Sequence, residues 1–188
     1  MTTSLKYARI ERERRFLLAG VPASEATGEQ LHIVDRYLQT TRLRLRLVRR
    51  AGEDPVYKLG QKIRVGAGPS TIAHTTVYLD RAEYEALTQL PGRTLTKTRT
   101  LSGWHGLTLA VDVFTGELDG LVLAEVELSE SAEPPATGWL SLGDEVTADE
   151  RFTGGALAST SREQLRALVR GVAPTSQGSP ALWQAPGP

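Results

Sequence analysis

Glu11-Arg12-Glu13-Arg14-Arg15 sets two carboxylates and a guanidinium at every second residue, immediately ahead of the apolar run Phe16-Leu17-Leu18. Successive side chains of a strand point to opposite faces, so Glu11, Glu13 and Arg15 share one face. A face with two acids and a base suits an ordinary core badly. It suits a place where a metal ion and an anion are held together. Other strands must then bring partners to that face.

The remaining sequence reads mainly as strands. Tyr7 to Leu18 alternates and ends at Gly20-Val21-Pro22. Ile33 to Leu38 and Arg42 to Val48 follow as a hairpin around Gln39-Thr40-Thr41, then Val56 to Val65 and Thr71 to Leu79. Asp80 with Glu83 forms a capping box for a short helix from Arg81 to Leu90, stopped by Pro91-Gly92. Strands from Arg93 to Leu101, Leu107 to Phe114 and Leu121 to Ser129 come next, and Thr160-Ser161-Arg162-Glu163 opens a last helix to about Arg170. Gly154-Gly155 reads as a turn, and residues 173–188, rich in Pro, Gly, Ser and Ala, read as a flexible C-terminal tail. About eight strands with few helices predict an α+β, mainly β fold, a closed or nearly closed antiparallel barrel occupying residues 1–172.

Composition narrows the functions open to such a barrel. The chain of 188 residues has a formal net charge of zero, which gives no reason to expect a nucleic-acid partner. It contains no cysteine, which removes disulfides, thiolate metal sites and a cysteine nucleophile. Neither a signal core nor a membrane-spanning apolar stretch is present, so a cytoplasmic location and no membrane partner are expected.

The parity of the charges carries the functional reading. Arg42, Arg44 and Arg46 share one face and Leu43, Leu45 and Leu47 the other. The same alternation pairs Lys58 with Lys62, Lys97 with Arg99 and Glu125 with Glu127, and sets Asp112 among Leu109, Val111 and Val113. Any one such strand is explained by a solvated sheet face. Repetition, with acids gathered on two strands and bases on three, favours an inward charged lining. Converging carboxylates take up protons unless cations neutralise them, and Mg²⁺ or Mn²⁺ matches carboxylate oxygens. Converging Arg and Lys need anions, and phosphate oxygens fit their donors.

Several motifs, in order along the chain, resemble the CYTH family, also called the triphosphate tunnel metalloenzymes. They are Glu11-x-Glu13-x-Arg15-Phe16-Leu17, Arg44-x-Arg46, Lys58, Lys97-Thr98-Arg99, Val111-Asp112-Val113-Phe114, Leu123-Ala124-Glu125-Val126-Glu127 and Glu145 to Phe152. The resemblance covers roughly residues 7 to 170. It implies an eight-stranded antiparallel tunnel with a few peripheral helices and triphosphate bound inside. It further implies that Glu11, Glu13, Glu125 and Glu127, with Asp112 nearby, hold the divalent metal. Arg15, Arg44, Arg46, Lys58, Lys97, Arg99 and Arg151 would bind the phosphates, and Glu11, Glu13, Arg15 and Glu127 would carry the chemistry. Two departures are visible: Arg15 stands where the family usually has lysine, and Ile72 to Tyr78 lacks the arginine and alternating glutamates of the short bacterial tripolyphosphatases.

The expected activity is metal-dependent hydrolysis of a triphosphate phosphoanhydride bond, with inorganic tripolyphosphate first and a nucleoside or thiamine triphosphate next. The alternatives are an adenylate cyclase of the same family or a non-catalytic polyphosphate or nucleotide sensor. The expected partner is a triphosphate-containing small molecule, and the chain itself is expected to be a monomer or homodimer.

Overall fold

The computed structural model describes residues 5–22, 29–66, 68, 70–128 and 142–172, so the predicted tail at 173–188 lies outside the described residues. Eight long strands are present: β1 (Arg9–Leu17), β2 (Glu29–Leu38), β3 (Leu43–Arg50), β4 (Val56–Arg64), β5 (Thr71–Leu79), β6 (Gly92–Trp104), β7 (Leu107–Phe114) and β8 (Val122–Leu128). A two-residue β9 (Asp144–Glu145) joins them. The strand order β5-β4-β3-β2-β6-β7-β8-β1 closes through β1 and β5, and every pairing is antiparallel. The fold is therefore a closed eight-stranded antiparallel barrel with one added strand. β9 pairs with Phe16 and Leu17, beyond the point where β5 leaves the edge of β1.

Register turns the parity of the sequence into a lining. Glu13 faces Glu127 and Arg15 faces Glu125 across β1 and β8. Arg99 faces Asp112, Asp35 faces Arg46, and Lys62 faces His74. Arg12 and Arg14 take the opposite parity on β1, and outside the barrel Arg14 donates to Glu145 through Nε at 2.9 Å.

Three α-helices, α1 (Arg81–Thr88), α2 (Gly154–Leu157) and α3 (Arg162–Arg170), and two 3-10 turns at Gly116–Leu118 and Glu150–Phe152 complete the described chain. α1 begins at the predicted Asp80–Glu83 capping box and packs beside β3 and β4, where the Tyr84 and Tyr57 rings lie 4.9 Å apart. α3 opens at Ser161, whose side chain accepts from Gln164. α2 replaces the turn expected at Gly154-Gly155, and Tyr78 on β5 lies beside Lys58 with its ring 5.0 Å from that ammonium.

The peripheral helices α2 and α3 gather at one open end of the barrel. The lining turns apolar at one end: Leu17 follows Arg15, Leu95 precedes Lys97, Phe114 follows Asp112 and Leu123 precedes Glu125. These four side chains are buried with Leu118, Leu121, Val146, Phe152, Leu157, Leu165 and Leu168 in one cluster. Covering that apolar ring removes it from water, so the C-terminal elements stopper the barrel rather than clothe it. A second cluster, including Phe16, Val111, Ala124 and Val126, is built from the opposite parity of β1, β7 and β8.

Candidate active site, an ion-lined tunnel

The barrel interior holds a cavity of about 650 Å³, lined by eight Arg or Lys and seven Asp or Glu residues. Phe152, Thr153, Gly154, Gly155 and Leu157 border the same space, so the apolar stopper forms one end of it. The charges nearly balance, and they are sorted in space.

One wall is acidic. Glu11 accepts from His74 Nδ1 at 2.9 Å and pairs with Lys62 Nζ at 3.3 Å. Glu13 accepts from Lys62 at 2.8 Å and from Arg15 Nη2 at 3.0 Å. Glu125 accepts from Arg15 Nε and Nη2 at 3.0 and 2.9 Å and from Arg99 Nη2 at 2.5 Å. Glu127 stands at the rim, half exposed, 3.1 Å from Arg9. Burial alone pushes the Glu11 carboxyl up, but His74 and Lys62 outweigh it and bring it down to about 2. Burial is likewise outweighed at Glu125, where Arg99 and Arg15 hold the carboxyl well below the ordinary range.

The basic wall is fixed by two buried aspartates. Asp35, 1% exposed, accepts from Arg46 Nε and Nη2 at 2.6 and 2.7 Å and lies 3.5 Å from Arg44 Nε. Asp112, also 1% exposed, accepts from Lys97 Nζ at 2.5 Å and from Arg99 Nε and Nη2 at 2.7 and 2.6 Å. Each aspartate therefore offsets the burial of guanidinium or ammonium groups that would otherwise be too costly to hold inside a barrel.

Most of the residues singled out in the sequence line this cavity: Glu11, Glu13, Arg15, Arg44, Arg46, Lys97, Arg99, Asp112, Glu125 and Glu127. Lys58 does not. It borders a smaller cavity of about 300 Å³ toward the opposite end of the barrel, together with Arg46 and Arg99. Lys62, four residues on, lines the larger cavity instead, against Glu11 and Glu13. The two lysines share a parity but stand about 13 Å apart along the strand, and parity reports the face without the depth. Arg151 also lies away from the cavity lining, exposed and bound to Asp149 at 2.6 Å.

The sequence reading passed over Asp35, Tyr37, Arg64 and Thr147, all of which line the cavity. Asp35 left a signal, a carboxylate on the same parity as Ile33 and Tyr37 within an apolar strand. Thr147 lay within the Glu145 to Phe152 motif without a role of its own; it reaches the cavity where β9 joins β1, and its Oγ1 accepts from the Arg15 amide at 2.9 Å.

Tyr37 depends on a glycine. A Cβ added to Gly154 would lie 1.8 Å from the Tyr37 hydroxyl oxygen, so only glycine lets α2 approach so closely. Burial and then Asp35 push the Tyr37 hydroxyl up, while a hydrogen bond from Arg44 opposes them. Gly154→Ala is expected to drive the ring from its seat and cost about 1–3 kcal/mol of stability. A thermal melt checks this, and an unchanged Tm would show that the seat is not tight.

Among the described residues, no three of His, Asp and Glu converge in metal-ligating geometry. The donor chemistry nonetheless fits a hard divalent cation: Glu13 and Glu127 are direct cross-strand neighbours, Glu11 and Glu125 flank them, and every donor is a carboxylate oxygen. Their present partners are Lys and Arg side chains, the groups that phosphate oxygens attract, with His74 added at Glu11.

A closed antiparallel barrel whose interior is divided into an acidic and a basic wall defines a protein that handles compact, charged ligands inside its own core. The chain is 35% identical over 156 residues to an inorganic triphosphatase of Nitrosomonas europaea, covering 79% of this chain and 96% of that protein. It also matches the crystal structure of a hypothetical protein at 31% identity with a TM-score of 0.52, over 80% of this chain and 99% of the other. No family model matches it. By fold, site and relative, the chain belongs to the CYTH family of triphosphate tunnel proteins.

Proposed function

We propose that this chain is a divalent-metal-dependent triphosphatase acting on inorganic tripolyphosphate. The observation that carries the proposal is the facing of four glutamates by a set of Arg and Lys side chains within one cavity of about 650 Å³. The Nitrosomonas relative named as an inorganic triphosphatase supports the choice of substrate.

Glu11, Glu13, Glu125 and Glu127 would hold Mg²⁺ or Mn²⁺. When bound, such an ion neutralises phosphate charge and lowers the pKa of an attacking water. Arg44, Arg46, Lys62, Lys97 and Arg99 would bind the phosphate oxygens and stabilise the charge that grows on the leaving pyrophosphate. Asp35 and Asp112, whose oxygens are occupied by cationic donors, would hold those side chains in place. The pairs that Lys62 makes with Glu11 and Glu13 and that Arg99 makes with Glu125 would then have replacements, the cations turning to phosphate and the carboxylates to the metal. No covalent nucleophile is required.

A phosphate-release assay with tripolyphosphate, ATP and thiamine triphosphate, run with Mg²⁺, with Mn²⁺ and with chelator, tests the proposal. Chelator-sensitive release from tripolyphosphate is expected. Absence of turnover on every substrate, with tripolyphosphate still raising Tm, would make the protein a sensor instead.

Lys97 adds a pH dependence. Burial, and then the neighbouring Arg99, bring its ammonium down to about 8, with Asp112 resisting. Only the charged form attracts phosphate, so kcat/KM, which reports the free enzyme, should fall as pH rises through about 8. Stability should move the other way. A base whose folded pKa lies below its unfolded value binds fewer protons when folded, so this group favours the fold increasingly between about 8 and 10.5. In Lys97→Arg the alkaline fall should shift to higher pH; an identical profile in the variant would remove Lys97 from substrate binding.

A further inference from the structure

Arg15 makes more protein contacts than a phosphate ligand can keep. Its Nε and Nη2 both donate to Glu125, Nη2 donates also to Glu13, and Nη1 donates to the Phe152 carbonyl at 3.0 Å. Four of the five N–H groups of a guanidinium are thereby directed at protein acceptors. The backbone is tied as well: the Arg15 amide donates to Thr147 Oγ1 at 2.9 Å and its carbonyl accepts from Val146 at 2.8 Å. Arg15 thus joins two carboxylates of the acidic wall to the stopper that closes the barrel.

Two other basic groups of the cavity, Arg44 and Lys62, are held more lightly. Arg44 Nε is buried and, among the described residues, makes no hydrogen bond, its Asp35 neighbour lying 3.5 Å away and bonded to Arg46. Among the described residues Lys62 pairs with Glu11 and Glu13, and its side chain keeps a third of its exposure. These groups can turn to an incoming anion without dismantling the wall. Arg15 cannot, since turning to an anion would break its bonds to Glu125, Glu13 and the Phe152 carbonyl together, leaving Glu13 on Lys62 and Glu125 on Arg99 without the fork that spans them. A lysine in its place would bring one ammonium on a flexible stem, unable to reproduce the planar fork that spans these acceptors.

We propose that Arg15 is a positioning residue, which sets the separation and orientation of Glu13 and Glu125 as metal ligands and does not itself bind the substrate phosphates. This rests on the metal-dependent triphosphatase reading above; if that reading fails, the wild-type protein releases no phosphate from tripolyphosphate, an outcome separate from those below.

The test compares wild type with Arg15→Lys, which preserves charge. Removing a partner that orients metal ligands lowers metal affinity 10- to 100-fold as a rule. The Mn²⁺ concentration giving half-maximal binding, followed by electron paramagnetic resonance without any phosphate, should therefore rise by about that factor. The KM for tripolyphosphate at saturating Mn²⁺ should stay within about twofold. Unchanged Mn²⁺ binding with KM raised tenfold or more would overturn the proposal and make Arg15 a phosphate ligand. A wild-type measurement guards against a misfolded variant: in ¹⁵N spectra of the arginine side chains, added tripolyphosphate with chelator should leave the Arg15 Nε–H resonance in place while moving that of Arg44. Movement of Arg15 with Arg44 still would equally overturn it.

Discussion

Glu13→Ala is expected to lower metal-dependent phosphate release from tripolyphosphate by about a thousandfold, while the barrel stays folded. Glu13 lies centrally in the acidic wall, opposite Glu127 and bonded to both Lys62 and Arg15. Metal-derived charge stabilisation in such a reaction is worth several kcal/mol, and about 4 kcal/mol corresponds to a thousandfold in rate. The fold should tolerate the change because neither basic partner is orphaned: Lys62 keeps Glu11 and Arg15 keeps Glu125. Glu127→Ala should act in the same direction, and its half-exposed place at the rim makes it the milder structural perturbation. Steady-state kinetics over a range of Mg²⁺, beside a thermal melt, give the answer. Near-normal turnover in a folded Glu13→Ala protein would defeat the metal assignment.

Asp35→Ala should damage the fold more than any change in the acidic wall. It leaves Arg46, and with it Arg44, without the carboxylate that faces them across β2 and β3. Breaking a buried pair from one side costs about 3–5 kcal/mol, because an uncompensated charge remains inside. For a chain of this size that is a fall in Tm of roughly 10 °C. Its pH dependence follows from Arg46 and Arg44, which overcome burial and hold the Asp35 carboxyl far below its ordinary value. A depressed carboxyl contributes stability that is complete above its unfolded pKa, near 3.9, and is lost as pH falls toward the folded one. The wild type should therefore lose more stability than Asp35→Ala on acidification below about pH 4. The double variant Asp35→Ala with Arg46→Met should recover part of the loss, since it removes both partners of the buried pair. No recovery would mean that Asp35 stabilises the barrel other than through Arg46.

Much of the site was legible as parity. Glu11, Glu13 and Arg15, Arg44 and Arg46, Lys97 and Arg99, and Glu125 and Glu127 each proved to share a lining face, since the period of a strand is fixed by backbone geometry alone. Depth along the barrel was not legible, which is why the sequence assigned Lys58 to phosphate and gave no role to Lys62, which meets the acidic wall of the larger cavity. Depth depends on register, and register is settled between strands. The pairing of Lys62 with His74 on β5, which places it beside Glu11, is a relation among three segments far apart in the chain.

The opening charged strand thus divides cleanly. By itself the sequence determined a mainly β chain, a face bearing Glu11, Glu13 and Arg15, and bases on other strands to answer it, because alternation and charge are local properties. Only the tertiary structure decided that β1 meets both β8 and β5 to close the barrel, that Asp35 and Asp112 lock the basic wall, and that the C-terminal helices stopper one end. It also gave Arg15 its acceptors. Those outcomes depend on which distant groups can offset one another's burial, and a buried charge is tolerated only where the folded chain supplies its partner.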